Sequence, residues 1–287
     1  MTTAVKPTDD PREFAAHFHL LGRVDYEDCL SAQRRLAYDA MTRGDGRMVV
    51  LLCEHPPLIT IGRGGSRGDM QFTPAELLAR QLEVRYVCRG GGTLLHGPGQ
   101  LAIYPIVPLV WHDWTIGAYL RRLQAGLRGA LLDLGFRTGS LAGRFGLWGR
   151  GGLLAAVGIA VKHGIATHGA FLNVNPDMRD MRRVLVGGDR ERETGDRGQE
   201  GGDSQIRNLK SQIHNPKSAI RNPPSFSSLL SEHGRAVKMT SVRAAIVQHL
   251  AEAFGCENYH LHTGHPFLAD LAPPATRLGN RQRESAA

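Results

Sequence analysis

Apolar positions along the chain fall into short unbroken runs separated by longer stretches with helical spacing. Met48–Cys53 (MVVLLC) is one such run and predicts a buried strand. Leu101–Val107 and Leu154–Val161 read the same way, with Val84–Cys88 and Phe171–Val174 as shorter strand candidates. Helical spacing is clearest from Ile116 to Leu134, where Ile116, Tyr119, Leu120, Leu123, Leu127, Leu131 and Leu134 share a face. Tyr26–Met41 predicts a second helix, and Ser241–Phe254 a third with Ser241 as its cap. Thr73-Pro74-Ala75-Glu76 is a capping-box pattern with proline at the first helical position, predicting a short helix through Gln81. The segment between the last two strand candidates, Thr167-His168-Gly169, reads as a loop. Strands joined by short turns and mixed with helices predict an α+β fold. Its form is a single mixed β-sheet domain flanked by helices, not a doubly wound parallel sheet.

One stretch breaks the pattern. Three imperfect copies of a polar heptad occur in tandem, Ser204–Lys210 (SQIRNLK), Ser211–Lys217 (SQIHNPK) and Ser218–Pro224 (SAIRNPP). One strong apolar position per repeat cannot bury a core, and proline in two copies argues against a coiled coil. The expected organisation is a flexible N-terminal arm (1–12) and one domain built from 13–188 and 238–270. A disordered low-complexity insertion at 189–237 interrupts that domain, and 271–287 forms a C-terminal tail.

The 287 residues are 41% hydrophobic and 22% charged, an ordinary globular composition with enough chain for one sizeable core. The net charge of +8 favours acidic partners in general: nucleic acid, anionic lipid or an acidic carrier protein. The four cysteines, Cys29, Cys53, Cys88 and Cys256, form no CxxC pair, so reduced thiols in a cytoplasmic protein are expected. Met1–Arg12 has no apolar core of a secretory signal, and no apolar run approaches 18 residues.

Three clusters carry candidate chemistry. The first is His55-Pro56-Pro57-Leu58-Ile59-Thr60-Ile61-Gly62-Arg63-Gly64, which on its residues alone is a turn between strands. The second is Arg89-Gly90-Gly91-Gly92-Thr93-Leu94-Leu95-His96-Gly97-Pro98-Gly99-Gln100. Its glycines let backbone approach a ligand closely, but no GK[ST] follows and no helix opens on a G-x-G-x-x-G, which excludes those two nucleotide loops. His96 either lines a pocket or is a structural donor. The third cluster runs from Gly146-Leu147-Trp148 through Leu153–Gly158 to Thr167–Asn175. Its small residues Ala155, Ala156 and Gly158 leave room beside the backbone for an apolar chain, while His168 and Asn173 serve equally well as turn-stabilising hydrogen bonders. Cys53-Glu54-His55 and the pair His163 and His168 offer metal-ligand types without a recognised spacing, and no metal is expected.

In this order and spacing the clusters resemble the lipoyl(octanoyl) transferase family, from about Leu51 to Gly188 and again near Lys238-Met239-Thr240-Ser241. The resemblance implies the catalytic-domain fold of biotin and lipoyl protein ligases, built around an apolar acyl tunnel. It implies transfer of octanoyl from acyl carrier protein to a lysine of lipoyl domains, those of 2-oxoacid dehydrogenases or the glycine cleavage H protein. It implies no cofactor, a cytoplasmic location, and neither nucleic acid nor membrane as partner. The substrate-binding residues it implies are Arg89, Gly90, Gly91, Gly92, Thr93, Leu94, Leu95 and His96, with Ala156, Val157 and Gly158, and with Gly169, Ala170 and Phe171. The family's reactive pair is a cysteine thiolate and a lysine that lowers its pKa. Those positions fall on Gly187 and Leu153, so no catalytic residue is intact and impaired transfer is expected. Lys162 and Cys88 are the nearest substitutes of the right chemistry. The alternative is a non-catalytic homologue that binds acyl groups or lipoyl domains. An ATP-dependent ligase would also need the lysine that Leu153 replaces.

Overall fold

The computed structural model describes residues 16–141, 144–186 and 225–269. The arm at 1–12, the heptad copies, Gly187 and the tail at 271–287 lie outside the described residues. In chain order the elements are β1 (Ala16–Arg23), α1 (Tyr26–Arg43), β2 (Met48–Glu54), β3 (Leu58–Ile61), α2 (Pro74–Ala79), β4 (Glu83–Tyr86), β5 (Thr93–His96), β6 (Gln100–Pro108) and α3 (Ile116–Asp133). They continue with β7 (Gly139–Leu141), β8 (Arg144–Trp148), β9 (Leu153–Lys162), β10 (Ile165–Asn173), α4 (Met178–Met181), α5 (Leu229–His233), α6 (Met239–Phe254), β11 (Tyr259–Thr263) and α7 (Pro266–Ala269).

Eight strands form the main sheet in the order β11-β1-β2-β6-β10-β9-β8-β7, and β4-β3-β5 form a second, smaller sheet. In the main sheet β1 runs parallel to both β11 and β2, while the other pairings are antiparallel. The expected mixed sheet flanked by helices is therefore present. Strands β2 and β6 are apolar almost without break because both faces are covered. On one face Val50, Leu52, Leu101 and Ile103 pack with Leu123 and Leu127 of α3 and with Ile246 and Leu250 of α6. On the other, Leu51, Cys53, Tyr104 and Phe171 pack with Cys29 and Leu36 of α1 and with Ile59 and Leu95 of the small sheet. Of the residues expected to bind substrate, Leu94, Leu95, Ala156 and Phe171 belong to this second layer.

Local signals explain several boundaries. Asp25 caps α1 by accepting from the Glu27 N–H, and Gly44, at φ 62°, closes it. The capping box at Thr73 forms as expected, with Thr73 and Glu76 bonding each other's backbone N–H. That bond, followed by the Arg183 guanidinium, holds the Glu76 carboxyl down to about 2.

Several expectations need correction. Thr167-His168-Gly169 is not a loop. It lies inside β10, paired residue by residue with Ala160, Ile159 and Gly158 of β9. The chain stays extended although His168 takes a φ of 55°, because the β9 pairing runs unbroken through it. Helix α6 begins at Met239, before Ser241, and its N-cap Lys238 makes no side-chain bond. Strands β1 and β11 have no counterpart in the apolar pattern, since alternating histidines replace apolar residues along them. The expected insertion at 189–237 reaches too far. Within it, residues 225–237 carry the buried Phe226 and helix α5, and Ser225–Ser227 bonds to the backbone of Leu153. One buried aromatic and a paired backbone suffice to anchor this segment.

Candidate functional site

The site is built on three supports: the turn after β4, the inner end of β5, and the β9–β10 pair. Turn 89–92 lies against β9, with the Gly90 N–H donating to the Ile159 carbonyl at 2.9 Å. A Cβ on Gly158 would sit 2.3 Å from the Gly90 oxygen, and one on Gly62 2.5 Å from the Gly91 oxygen. These glycines are thus required by close approach of backbone to backbone. Ala156, Val157 and Gly158 are the register partners of Phe171, Ala170 and Gly169, so two segments far apart in sequence form one wall. Val157 and Ala170 turn their side chains to the opposite layer with α3 and α6 and contribute only backbone to this wall.

Arg89 is fully buried. It donates through Nη2 to the Thr60 carbonyl at 3.1 Å and hydroxyl at 2.8 Å, and through Nη1 to the Gly90 carbonyl at 3.0 Å. Burial pulls its guanidinium down to about 10, so it stays charged at neutral pH. Thr60 and His96 Nε2 are 2.7 Å apart, and His96 Nδ1 and Gln100 Oε1 2.8 Å. The amide oxygen can only accept, so His96 carries its proton on Nδ1 and Thr60 donates to Nε2. Gln100 then donates to Asn173 Oδ1 at 2.9 Å, and Asn173 to the Ser227 carbonyl at 3.0 Å. A continuous buried relay thus runs from Arg89 across two sheets to the segment that pairs with Leu153. Burial, with the His55 ring and the Arg89 charge, holds His96 well below the usual imidazole range, which keeps it neutral.

Aromatic rings frame the relay. Phe171 lies 4.5 Å from the His96 ring and 5.6 Å from Tyr104, with the Arg89 guanidinium 5.7 Å above it. Tyr26 of α1 stacks on His96 at 5.7 Å. Three buried polar atoms in this layer have no hydrogen-bond partner among the described residues: Tyr26 OH, Arg89 Nε and His168 Nδ1. Burial raises Tyr26 to about 12, an effect Arg89 partly opposes, and burial with Arg89 lowers His168 to about 4. Both side chains are therefore neutral at pH 7.

Other expected positions fall elsewhere. Thr93 turns away and donates to Asp69 at 2.8 Å and to the Ser66 carbonyl. Leu94 and Leu95 are packed in the core of the layer. Leu153 is buried at the start of β9, among Trp148, Phe171 and Phe226. Lys162, exposed at the far end of the same strand, is nine residues away, roughly 30 Å of extended chain. Cys88 is exposed in the turn beyond β4, while its neighbour Arg89 points inward. Tyr26, Tyr104 and the buried Gln33, whose Oε1 accepts from the His168 N–H at 2.9 Å, adjoin these residues but carry no motif; a buried polar group on an otherwise apolar face is their only signal.

Beside the relay, Cys29 Sγ, Cys53 Sγ and His55 Nε2 lie within 4.8 Å of one another, all buried. Their spacing is compatible with a small ion. His55 nevertheless spends Nδ1 on the Val24 carbonyl at 2.8 Å and Nε2 on the Tyr104 hydroxyl at 2.7 Å. Burial holds the Cys53 thiol well above its ordinary range. Burial likewise holds His55 to about 4, so the cluster is satisfied by its hydrogen bonds with His55 as a neutral imidazole and Cys53 as a thiol.

Comparison with known proteins agrees with this architecture. Residues 25–251 match the family model described as the lipoyl protein ligase A/B catalytic domain. A protein of Roseiflexus sp. named octanoyltransferase is 32% identical over 266 residues, covering 92% of this chain and 97% of its own. A Chloroflexus aggregans protein of the same name is 38% identical over 177 residues, 60% of this chain and 79% of that one. Among solved structures, a bi-partite lipoate protein ligase from Thermoplasma acidophilum shares the fold at a TM-score of 0.58 and 15% identity, over 90% of each chain. The family model spans most of the described elements, from the cap of α1 into α6, and the chain belongs to the lipoyl protein ligase A/B catalytic domain family.

Proposed function

We propose that this chain is an octanoyltransferase-like protein of lipoate biosynthesis that keeps the acyl site and has lost most of the transfer chemistry. The observation that carries the reading is the buried layer between α1 and the main sheet. There a charged Arg89, fixed by Thr60, lies over Phe171 beside glycine-lined backbone, with three polar atoms that no described residue partners. Buried polar groups are almost always satisfied, so Arg89 Nε and Tyr26 OH are suited to donate to an acyl carbonyl. On the adjacent wall Ala156 presents only a methyl group, and Gly158 and Gly169 receive the Gly90 and Ile103 carbonyls where side chains would stand.

Octanoyl transfer breaks a carbon–sulfur bond of the carrier thioester and forms a carbon–nitrogen bond to a lysine of the acceptor. A covalent route needs a thiolate and a nearby cation. The positions implied by the sequence are Gly187, which has no nucleophile, and Leu153, which is apolar and buried. The carrier and the lipoyl domain are the acidic donor and the acceptor this reading assigns, consistent with the net charge of +8. No helix among the described residues is long and apolar enough to cross a membrane.

Calorimetric titration with octanoate tests the site. Saturable binding is expected, and loss of at least tenfold in affinity in Arg89→Met. No binding to the unaltered chain, or equal binding to a folded Arg89→Met variant, would remove the acyl site from the reading.

A further inference from the structure

Two cysteines that the acyl site does not use meet across the layer between α1 and the main sheet. Cys29 comes from the start of α1 and Cys53 from β2, and both are fully buried. Their Sγ atoms are 3.9 Å apart, although the residues stand 24 positions apart in sequence. Cys88 is exposed beyond β4 and Cys256 is buried in the opposite layer. The four thiols thus form this one pair among the described residues.

We propose that Cys29 and Cys53 are an oxidative modification site, closed to a disulfide by a peroxide and reopened by a small thiol. Polar groups stand on both sides of the pair. Gln33 Nε2 donates toward Cys29 Sγ at 4.0 Å. His55 donates its Nδ1 proton to the Val24 carbonyl at 2.8 Å, so Nε2, 3.6 Å from Cys53 Sγ, is an acceptor. The Cys53 thiol proton therefore points to Nε2, which the Tyr104 hydroxyl also reaches. A groove of about 1080 Å³ approaches the pair. Its lining includes Val24, bonded to His55, and Asp28 and Pro56, the chain neighbours of Cys29 and His55. Full burial makes the reaction slow, since peroxide reaches the sulfurs only when the start of α1 opens locally.

The chemistry balances with peroxide as the oxidant. The Cys29 sulfur attacks one peroxide oxygen and breaks the O–O bond, giving a sulfenic acid, while the thiol proton leaves with the other oxygen as water. The Cys53 sulfur then attacks the sulfenic sulfur, the S–S bond forms, and the displaced hydroxyl leaves with the Cys53 proton as a second water. Two thiols lose two electrons and two protons, and the peroxide takes up both. A small thiol reverses the step by exchange and is itself oxidised to its disulfide. The bonded length is about 2.05 Å, so the sulfurs close by about 1.9 Å and draw the start of α1 toward β2. Tyr26, in the same turn of α1 as Cys29, stacks on His96, so the cross-link fixes the cover over the buried relay. It also constrains the unfolded chain, which stabilises the fold.

Treatment of the purified full chain with hydrogen peroxide tests this. After the remaining thiols are alkylated in denaturant, peptide mapping should recover the Cys29 and Cys53 peptides joined. Tm should rise by at least about 3 °C and return to its starting value with dithiothreitol. Cys88→Ser should behave like the unaltered chain, and Cys29→Ala should show neither the joined peptides nor the rise. Should Cys29→Ala fail to fold, the peptide map of the unaltered chain still decides. Cys29 and Cys53 both alkylated after peroxide, Cys29 or Cys53 joined instead to Cys88 or Cys256, or a Tm that stays level or falls on oxidation would overturn the proposal.

Discussion

Thr60 is the side chain on which the buried relay turns, because it accepts from Arg89 and donates to His96 at once. Replacing it by valine keeps the volume but strips a bond from a buried guanidinium and from a buried imidazole. Leaving buried polar groups unpaired costs about 1–3 kcal/mol each, so Thr60→Val should lower the urea midpoint by a clear margin. A midpoint equal to that of the unaltered chain would show the relay to be energetically idle. Gly158 is the other decisive residue. A methyl group there meets the Gly90 oxygen at 2.3 Å, so Gly158→Ala should displace turn 89–92 and weaken octanoate binding, whereas Gly139→Ala, with open space around its Cβ and no positive φ, should leave that binding intact. Much at this scale was legible in sequence, since Arg89, His96 and the glycine pairs stand in motifs. Tyr26, Gln33 and Tyr104 were not, because what assigns them is a neighbour across the layer rather than a local pattern.

Among the elements, β9 ties the account together. Its middle forms the wall with β10, and its first residue, Leu153, pairs with the backbone of Ser225 and Ser227. A lysine at 153 would enter an apolar setting of Trp148, Phe171 and Phe226. Burial disfavours the ammonium and lowers its pKa below the unfolded value of about 10.4. Leu153→Lys should therefore destabilise the fold at pH 7, with the deficit shrinking as pH rises toward 10 and both states lose the proton. A deficit independent of pH would show that the amine reaches solvent. Phe226 anchors the returning segment, and Phe226→Ala should cost about 3–5 kcal/mol by the same midpoint measurement. The strands covered on both faces were plain from their apolar runs. Strands β1 and β11 were hidden because their faces carry histidines, and β10 was cut short because Thr167-His168-Gly169 has the composition of a turn.

For the molecule as a whole, neutral buried imidazoles set the response to acid. His55 and His168 are each held to about 4 by burial, against about 6.5 in an unfolded chain. Both states are neutral above pH 6.5, so the full stability is present there. As pH falls from 6.5 to 4 the unfolded state takes up protons that the folded state refuses, and stability declines, by at most about 3 kcal/mol for each ring. Chemical denaturation at pH 7 and pH 5 should show this loss, and equal midpoints would contradict it. The proposed reading, by contrast, asks only that the layer around Arg89 fold without a cysteine and a lysine at the expected reactive positions, where the sequence has Gly187 and Leu153. The direct measurement is intact-mass analysis after incubating the purified chain with octanoyl-acyl carrier protein and a lipoyl domain. The account predicts no octanoyl adduct on this chain and no acylation of the lipoyl domain above the level without enzyme. Stoichiometric octanoylation of either protein at a rate like that of an intact family member would contradict it.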